Sequence, residues 1–262
     1  MRRRFFVDRF KNGSAILSGE TANHLGRVLR AEPGQLYELS DGESAWLART
    51  ETVGRDEIHF ALIERLPAIT APVRITLLLA IVKFDRFEWA IEKATELGAD
   101  EIVPLMADRS EKGLIAAATK RADRWGRILT ESAQQARRLR VPLLREAEKP
   151  ADAFRTSTSH VKMLLSERSG ALPMRELLDP ATAIVDVDAP ENVALAVGPE
   201  GGWTGMEFSA ATAAGFSAAA LGANILRTET AVCAALAAVQ YAFGAFRSSC
   251  SLPNLQSEFH KE

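Results

Sequence analysis

Hydrophobic and polar positions change rhythm once along this chain. Over residues 1–70 they come in short alternating runs: Arg4–Asp8, Ala15–Ser18, Leu36–Ser40, Trp46–Val53 and Ile58–Leu66. Gly13, Gly34, the Asp41-Gly42 pair and Gly54 punctuate them, as turns between short strands do. One helix, Thr21–Arg30, interrupts, with Thr21 as the expected N-cap. Several short strands in so few residues predict a small barrel. Pro67 and Pro72 bracket a linker. From Val73 the runs lengthen. Val73–Val82 is nearly all apolar, the mark of a strand buried on both faces. Asp85–Gly98 reads as a helix capped by Asp85 and ended by Gly98, with Phe87, Ala90, Ile91, Ala94 and Leu97 on one face. Glu101–Met106 is the next strand, and Leu114–Arg140 a long amphipathic helix. Strands Val161–Glu167, Val193–Val197 and Ala218–Leu221 follow, with helices Thr204–Ala214 and Thr228–Phe246. Such alternation predicts an α/β domain over 73–247, a parallel sheet with helices on both faces. A polar tail runs from 248 to 262.

Two of the strand-to-helix junctions carry glycine: Ala196–Phe208, AVGPEGGWTGMEF, and Leu221–Leu236, LGANILRTETAVCAAL. Two such turns at one end of a sheet can face each other across a small molecule. The first has neither the G-x-G-x-x-G spacing of a dinucleotide fold nor that of a P-loop. Pro199 offers no amide hydrogen, so Gly198-Pro199-Glu200-Gly201-Gly202 is a poor phosphate cradle and suits close approach to a flat ligand. Thr204 and Glu207 form a capping box, which accounts for both. Glu200 has no helical reason to be there and is either a functional carboxylate or a solvated one. In the second segment Thr228 is placed to cap the last helix. Arg227 stands at a helix entrance, where the dipole disfavours a cation. It either binds a phosphate or oxyanion or pairs with Glu200 or Glu229. Cys233, on the alanine-rich helix, reads as a small core residue.

Charge sharpens this picture. The 262 residues carry a net charge of only −2. Residues 106–150 nevertheless hold 11 basic and 6 acidic side chains, and residues 151–262 hold 7 and 12. A basic face within a near-neutral chain suits a polyanion. Lys120, Arg124, Arg127, Glu131, Gln135 and Arg138 form the polar stripe of the long helix, opposite Trp125, Ile128, Leu129, Ser132, Ala133, Ala136 and Leu139. His24 lies beside Arg27 and Arg30, as an RNA contact or a plain helix-face residue. No apolar run reaches the roughly 18 residues of a membrane span, and the basic start lacks a secretory apolar core. Two cysteines and four scattered histidines offer neither a disulfide framework nor a metal cluster. A cytoplasmic, metal-free protein is expected.

The chain resembles the SPOUT superfamily of RNA methyltransferases, and within it the RsmE-type family. Ordered blocks carry the resemblance: RRRFFV near the start, NHLGRVLRAEPG at 23–34, KFDRFEWAIEKATELGADEIVPL at 83–105 with DRS at 108–110, RWGRILTESAQQARR at 124–138, VGPEGGWT at 197–204 and LGANILRTETA at 221–231. It implies an N-terminal PUA-like β-barrel that grips RNA, over 1–70. It also implies a trefoil-knotted domain that binds S-adenosylmethionine, homodimerises, and methylates N3 of a uridine in 16S ribosomal RNA of the small subunit. By position the cofactor wall would be Leu165-Ser166-Glu167, Gly198 to Gly202, and Leu221, Gly222, Asn224, Ile225 and Leu226. Arg227 would be catalytic, with Glu200 a candidate proton acceptor. Arg3, Arg4, His24, Arg27, Arg30, Lys120, Arg124, Arg127 and Arg138 would bind RNA. Four positions depart from the family pattern: Ala223-Asn224 replaces a usual Pro-Arg, Gln134 an acidic residue, and Arg137 a glycine. A non-catalytic RNA-binding factor and a nucleotide-dependent oxidoreductase are the competing readings, and the missing G-x-G-x-x-G weighs against the second.

Overall fold

The structure, a computed structural model, describes residues 3–67, 72–178 and 191–243. The chain from 244, including the end of the helix predicted to reach Phe246 and the polar tail, lies outside the described residues. The first strands, β1 (Arg4–Phe6), β2 (Ser14–Ser18), β3 (Leu36–Ser40), β4 (Ala45–Val53) and β5 (Glu57–Leu66), form one sheet in the order β1-β3-β4-β5-β2. Among the described residues β1 and β2 are its edges, so the ladder is open where a closed barrel is expected. Phe5, Leu17, Leu25, Leu39, Ile58 and Phe60 fill its own core. The helix between β2 and β3 starts earlier than predicted. It is α1 (Gly19–Asn23) continued by a π-helical turn, His24–Val28, so Thr21 lies inside it rather than capping it.

The second sheet is parallel throughout. Its strands β6 (Val73–Ala80), β7 (Glu101–Leu105), β8 (Leu143–Leu144), β9 (Val161–Leu165), β10 (Leu172–Pro173), β11 (Glu191–Val197) and β12 (Ser217–Ala220) run in the order β10-β12-β9-β11-β6-β7-β8. Strand side chains alternate between faces, and the apolar run of β6 feeds two layers. Leu77 and Leu79 join Leu195, Phe87, Ile91, Trp125, Leu129, Val232 and Leu236. Leu195 comes from β11, and the others from α2 (Phe84–Glu96), α4 (Ala122–Gln135) and α8 (Thr228–Ala242). Leu78 and Ala80 join Leu164, Ala194, Phe154, Ala211 and Phe216 on the opposite face, beneath α5 (Pro150–Thr156) and α7 (Gly205–Ala213). Both faces of the central strands are therefore dry, which is why their sequences are apolar rather than alternating.

Helix α2 begins after Lys83, so Asp85 lies in its first turn, favourable to the dipole, rather than at the cap. The long helix predicted over Leu114–Arg140 is α3 (Lys112–Ala118), a 3₁₀ turn at Thr119–Arg121, and α4. It ends at Gln135 because Arg137 takes a left-handed backbone, φ 53°. The chain then crosses to the first sheet. The Arg137 carbonyl accepts from Arg4 Nη1 at 2.6 Å and the Leu139 carbonyl from Ser40 Oγ at 2.7 Å, while Arg140 donates to the Gly42 carbonyl. Tertiary bonding between the sheets thus ends a helix whose periodicity continues.

Candidate active site

Strands β12, β9 and β11 are neighbours, so the loops leaving their C-terminal ends adjoin, the usual place for a ligand in a parallel sheet. These are the three predicted wall segments: 165–167, 198–202 and 221–226. Hydrogen bonds tie them together. Trp203 Nε1 donates to the Leu165 carbonyl at 3.0 Å, and Thr228 Oγ1 to the Gly198 carbonyl at 3.2 Å. Thr228, expected as the cap of α8, is instead its first residue, with Arg227 at the N-cap. Its hydroxyl is thereby free to join the two glycine segments.

The turn after β11 is shaped by close approach. A Cβ on Gly198 would lie 3.0 Å from the Trp203 ring, and one on Gly201 3.3 Å from Arg109. Gly202 N donates to the Pro199 carbonyl at 2.8 Å, closing the turn. Arg109 Nη1 donates to the Gly201 carbonyl at 2.6 Å. Arg86 Nη1 donates to Glu200 Oε1, also at 2.6 Å. Sequence patterning missed Arg86 and Arg109; their only signal was membership of the KFDR and DRS blocks. The capping box is present as predicted, and Glu207 does more than cap. Buried, it also accepts from the Asp108 amide at 2.9 Å, linking the loop after β7 to α7.

Arg227 pairs with neither Glu200 nor Glu229, and among the described residues its side chain makes no ion pair or hydrogen bond. It is exposed at the helix entrance. Beside it Ile225 is 78% exposed, while Leu221 and Leu226 are partly buried against the core. Burial pushes the Cys233 thiol pKa up, so it is not an activated nucleophile.

The predicted basic surface is smaller than its periodicity suggests. Arg4 and Arg138 are its most enclosed members. The Arg4 side chain is 13% exposed and pairs with Glu38 at 3.0 Å. That of Arg138 is 15% exposed, pairs with Asp100 at 2.9 Å and donates to the Thr95 and Ala99 carbonyls. Burial pulls the Arg138 pKa down and Asp100 opposes it. Both arginines hold structure rather than face solvent. Arg124 is exposed but reaches Glu88 at 2.8 Å. Arg3, His24, Arg27, Arg30, Lys120 and Arg127 are exposed. Among the described residues no cluster of His, Cys, Asp and Glu could hold a metal, and no helix is long and apolar enough to cross a membrane.

Comparison with known proteins agrees with this geometry. The family model of the RNA methyltransferase domain matches residues 70–240. The chain is 34% identical over 245 residues to the ribosomal RNA small subunit methyltransferase E of Mycobacterium bovis, covering 90% of each. It resembles the crystal structure of the Neisseria gonorrhoeae protein of that name bound to S-adenosyl methionine, with TM-score 0.79, 30% identity, and coverage of 92% of this chain and 98% of that one. A methyltransferase of Legionella pneumophila, in complex with the cofactor SAM, superposes with TM-score 0.81 at 29% identity, covering 92% and 98%.

Proposed function

The chain belongs to the RNA methyltransferase family, among the ribosomal RNA small subunit methyltransferases E, and from that premise we propose that it transfers a methyl group from S-adenosylmethionine to N3 of a uridine in 16S ribosomal RNA. The observation that carries this reading is the meeting of three strand-end loops, one of them the glycine turn, beside an arginine that has no partner among the described residues. The residues fit the cofactor. A Cβ on Gly222 would meet no protein atom within 4 Å, and the exposed Ile225 adjoins it. An open, apolar, glycine-floored edge suits a flat purine. Leu165, Ser166, Glu167 and the residues from Gly198 to Gly202 would hold it through the backbone. Leu221, Gly222, Asn224, Ile225 and Leu226 would close around its faces.

When bound, S-adenosylmethionine supplies an electrophilic methyl group on a sulfonium centre. The chain must make uridine N3 nucleophilic. N3 carries a proton, and losing it places negative charge on the flanking carbonyl oxygens. The guanidinium of Arg227 stabilises that charge, as fixed donors do where charge develops. The proton leaves to water, because Glu200, the carboxylate of the glycine turn, is tied to Arg86. Arg3, His24, Arg27, Arg30, Lys120, Arg124 and Arg127 supply phosphate contacts. The N-terminal sheet acts as a PUA-like RNA grip, the C-terminal segment is threaded as a trefoil knot, and two copies pair as a homodimer.

Two measurements test the reading. Calorimetry should detect S-adenosylhomocysteine binding, and nicotinamide cofactor binding in its place would favour an oxidoreductase. Mass spectrometry of 16S ribosomal RNA from a deletion strain should show one methyluridine lost and regained on complementation; an unchanged RNA refutes the proposal. Affinity for RNA should also fall with salt, by a log–log slope of about 0.7 per phosphate contacted on a single strand.

A further inference from the structure

Resting on the methyltransferase reading, we propose that Arg86 is a positioning residue, one that sets the cofactor-binding turn through Glu200. The turn at 198–202 has glycine at three of its five positions and proline at a fourth, so side-chain packing within it cannot define its shape. Beyond its own Gly202–Pro199 bond, it is held from outside by contacts from four separate elements. Thr228 of α8 holds the Gly198 carbonyl at 3.2 Å, and Arg109, after β7, holds the Gly201 carbonyl at 2.6 Å. Trp203, which closes the turn, is fixed to the end of β9 through the Leu165 carbonyl at 3.0 Å. Arg86, in the first turn of α2, holds Glu200 at 2.6 Å.

The first three contacts are neutral or single-charge hydrogen bonds to backbone. The Arg86–Glu200 contact is the ionic one, and it reaches the position that backbone bonding leaves alone. It joins residues 114 apart in sequence. It also gives Glu200 a role that needs no proton transfer. Its carboxylate oxygen is engaged by the Arg86 guanidinium at 2.6 Å, which gives the side chain a structural partner. Glu200 is therefore the anchor that Arg86 grips, and Arg86 acts on the cofactor through it.

The test is a double-mutant cycle on the full-length protein, with variants Arg86→Ala, Glu200→Ala and the pair, plus Arg86→Lys. S-adenosylhomocysteine affinity is read by calorimetry, and kcat and cofactor KM are read with RNA substrate. Each single variant should weaken affinity about three- to fivefold, the scale of a part-exposed ion pair. The double variant should weaken it no further, because both changes break one contact. Arg86→Lys should recover most of the loss, which a folding defect would not allow, and thermal unfolding of each variant checks that it is folded. Losses that multiply in the double variant overturn the proposal. So does a Glu200→Ala enzyme that loses kcat with affinity intact, since that is the signature of a base. Wild-type protein that binds no S-adenosylhomocysteine would instead sink the methyltransferase reading; binding by wild type with no change in the variants sinks the positioning role alone.

Discussion

The two glycine segments look alike in sequence, and the fold treats them oppositely. The turn at 198–203 is held from outside at Gly198, Glu200, Gly201 and Trp203. The loop from Leu221 to Arg227 makes no side-chain hydrogen bond or ion pair among the described residues, and it leaves Ile225 78% exposed. One is preorganised and the other open. A site that binds through backbone atoms needs one wall fixed in advance, so that ordering it does not subtract from affinity. On the proposed reading the other wall admits the ligand and presents its cation to the substrate. Arg227, at the end of the open wall, is the group for which the fixed wall supplies no substitute.

The largest expected effect breaks the pair at that cation. Arg227→Ala should lower transfer by about 10²–10³, the cost of removing one donor to a developing oxyanion. Calorimetry should find S-adenosylhomocysteine affinity nearly unchanged. Near-normal turnover would mean that the open wall is only a lid. The next effect strikes the fixed wall. Gly198→Ala puts a methyl 3.0 Å from Trp203, overpacking that should cost about 1–3 kcal/mol. Urea unfolding should show the loss, accompanied by weakened S-adenosylhomocysteine binding. A variant of normal stability and affinity would show that the turn is not held as rigidly as its contacts imply.

How far this contrast could be read from sequence depends on which interactions are local. The Thr204–Glu207 capping box was legible because both partners lie within one turn. The apolar run of β6 was legible because burial on two faces leaves no polar position. Two of the loops followed from glycine at strand ends, and the third, 165–167, from the family resemblance. The fixing of the first turn did not. Arg86 reaches it from α2 and Arg109 from the loop after β7, and nothing local in KFDR or DRS says where a guanidinium points. The same blindness hides the partners of Arg4 and Arg138. Helical spacing assigned Arg138 to the polar stripe, but Arg137 turns the chain left-handed and carries Arg138 onto Asp100. Arg4 is the first residue of the edge strand β1, and only the pairing of β1 with β3 brings Glu38 to it. Charge patterning locates cations; their partners are a property of topology.

A smaller effect tests a bond that joins the two walls. Thr228 is buried, and its hydroxyl donates to the Gly198 carbonyl. Thr228→Val keeps the shape and removes the donor, leaving a carbonyl short of a partner. The expected cost is about 1 kcal/mol, read as a lower urea midpoint at unchanged m-value. Cofactor affinity should fall with it if the walls work as a unit. A stability loss with normal affinity would show two walls that merely adjoin.

The smallest expected effect on the fold sharpens the comparison most. Ile225 projects from the open wall and packs on little of this chain, so Ile225→Ser should change unfolding free energy by less than about 0.5 kcal/mol, as at other exposed positions. If its side chain instead awaits the cofactor, the same substitution should weaken S-adenosylhomocysteine binding several-fold, because burying an isoleucine against a ligand is worth roughly 1.5–3 kcal/mol when complete and proportionately less when partial. Stability and affinity would then separate at Ile225 and move together at Gly198. If Ile225→Ser left affinity untouched, the exposed isoleucine would belong to some other contact, and the open wall would reduce to the backbone of Gly222 and the side chain of Arg227.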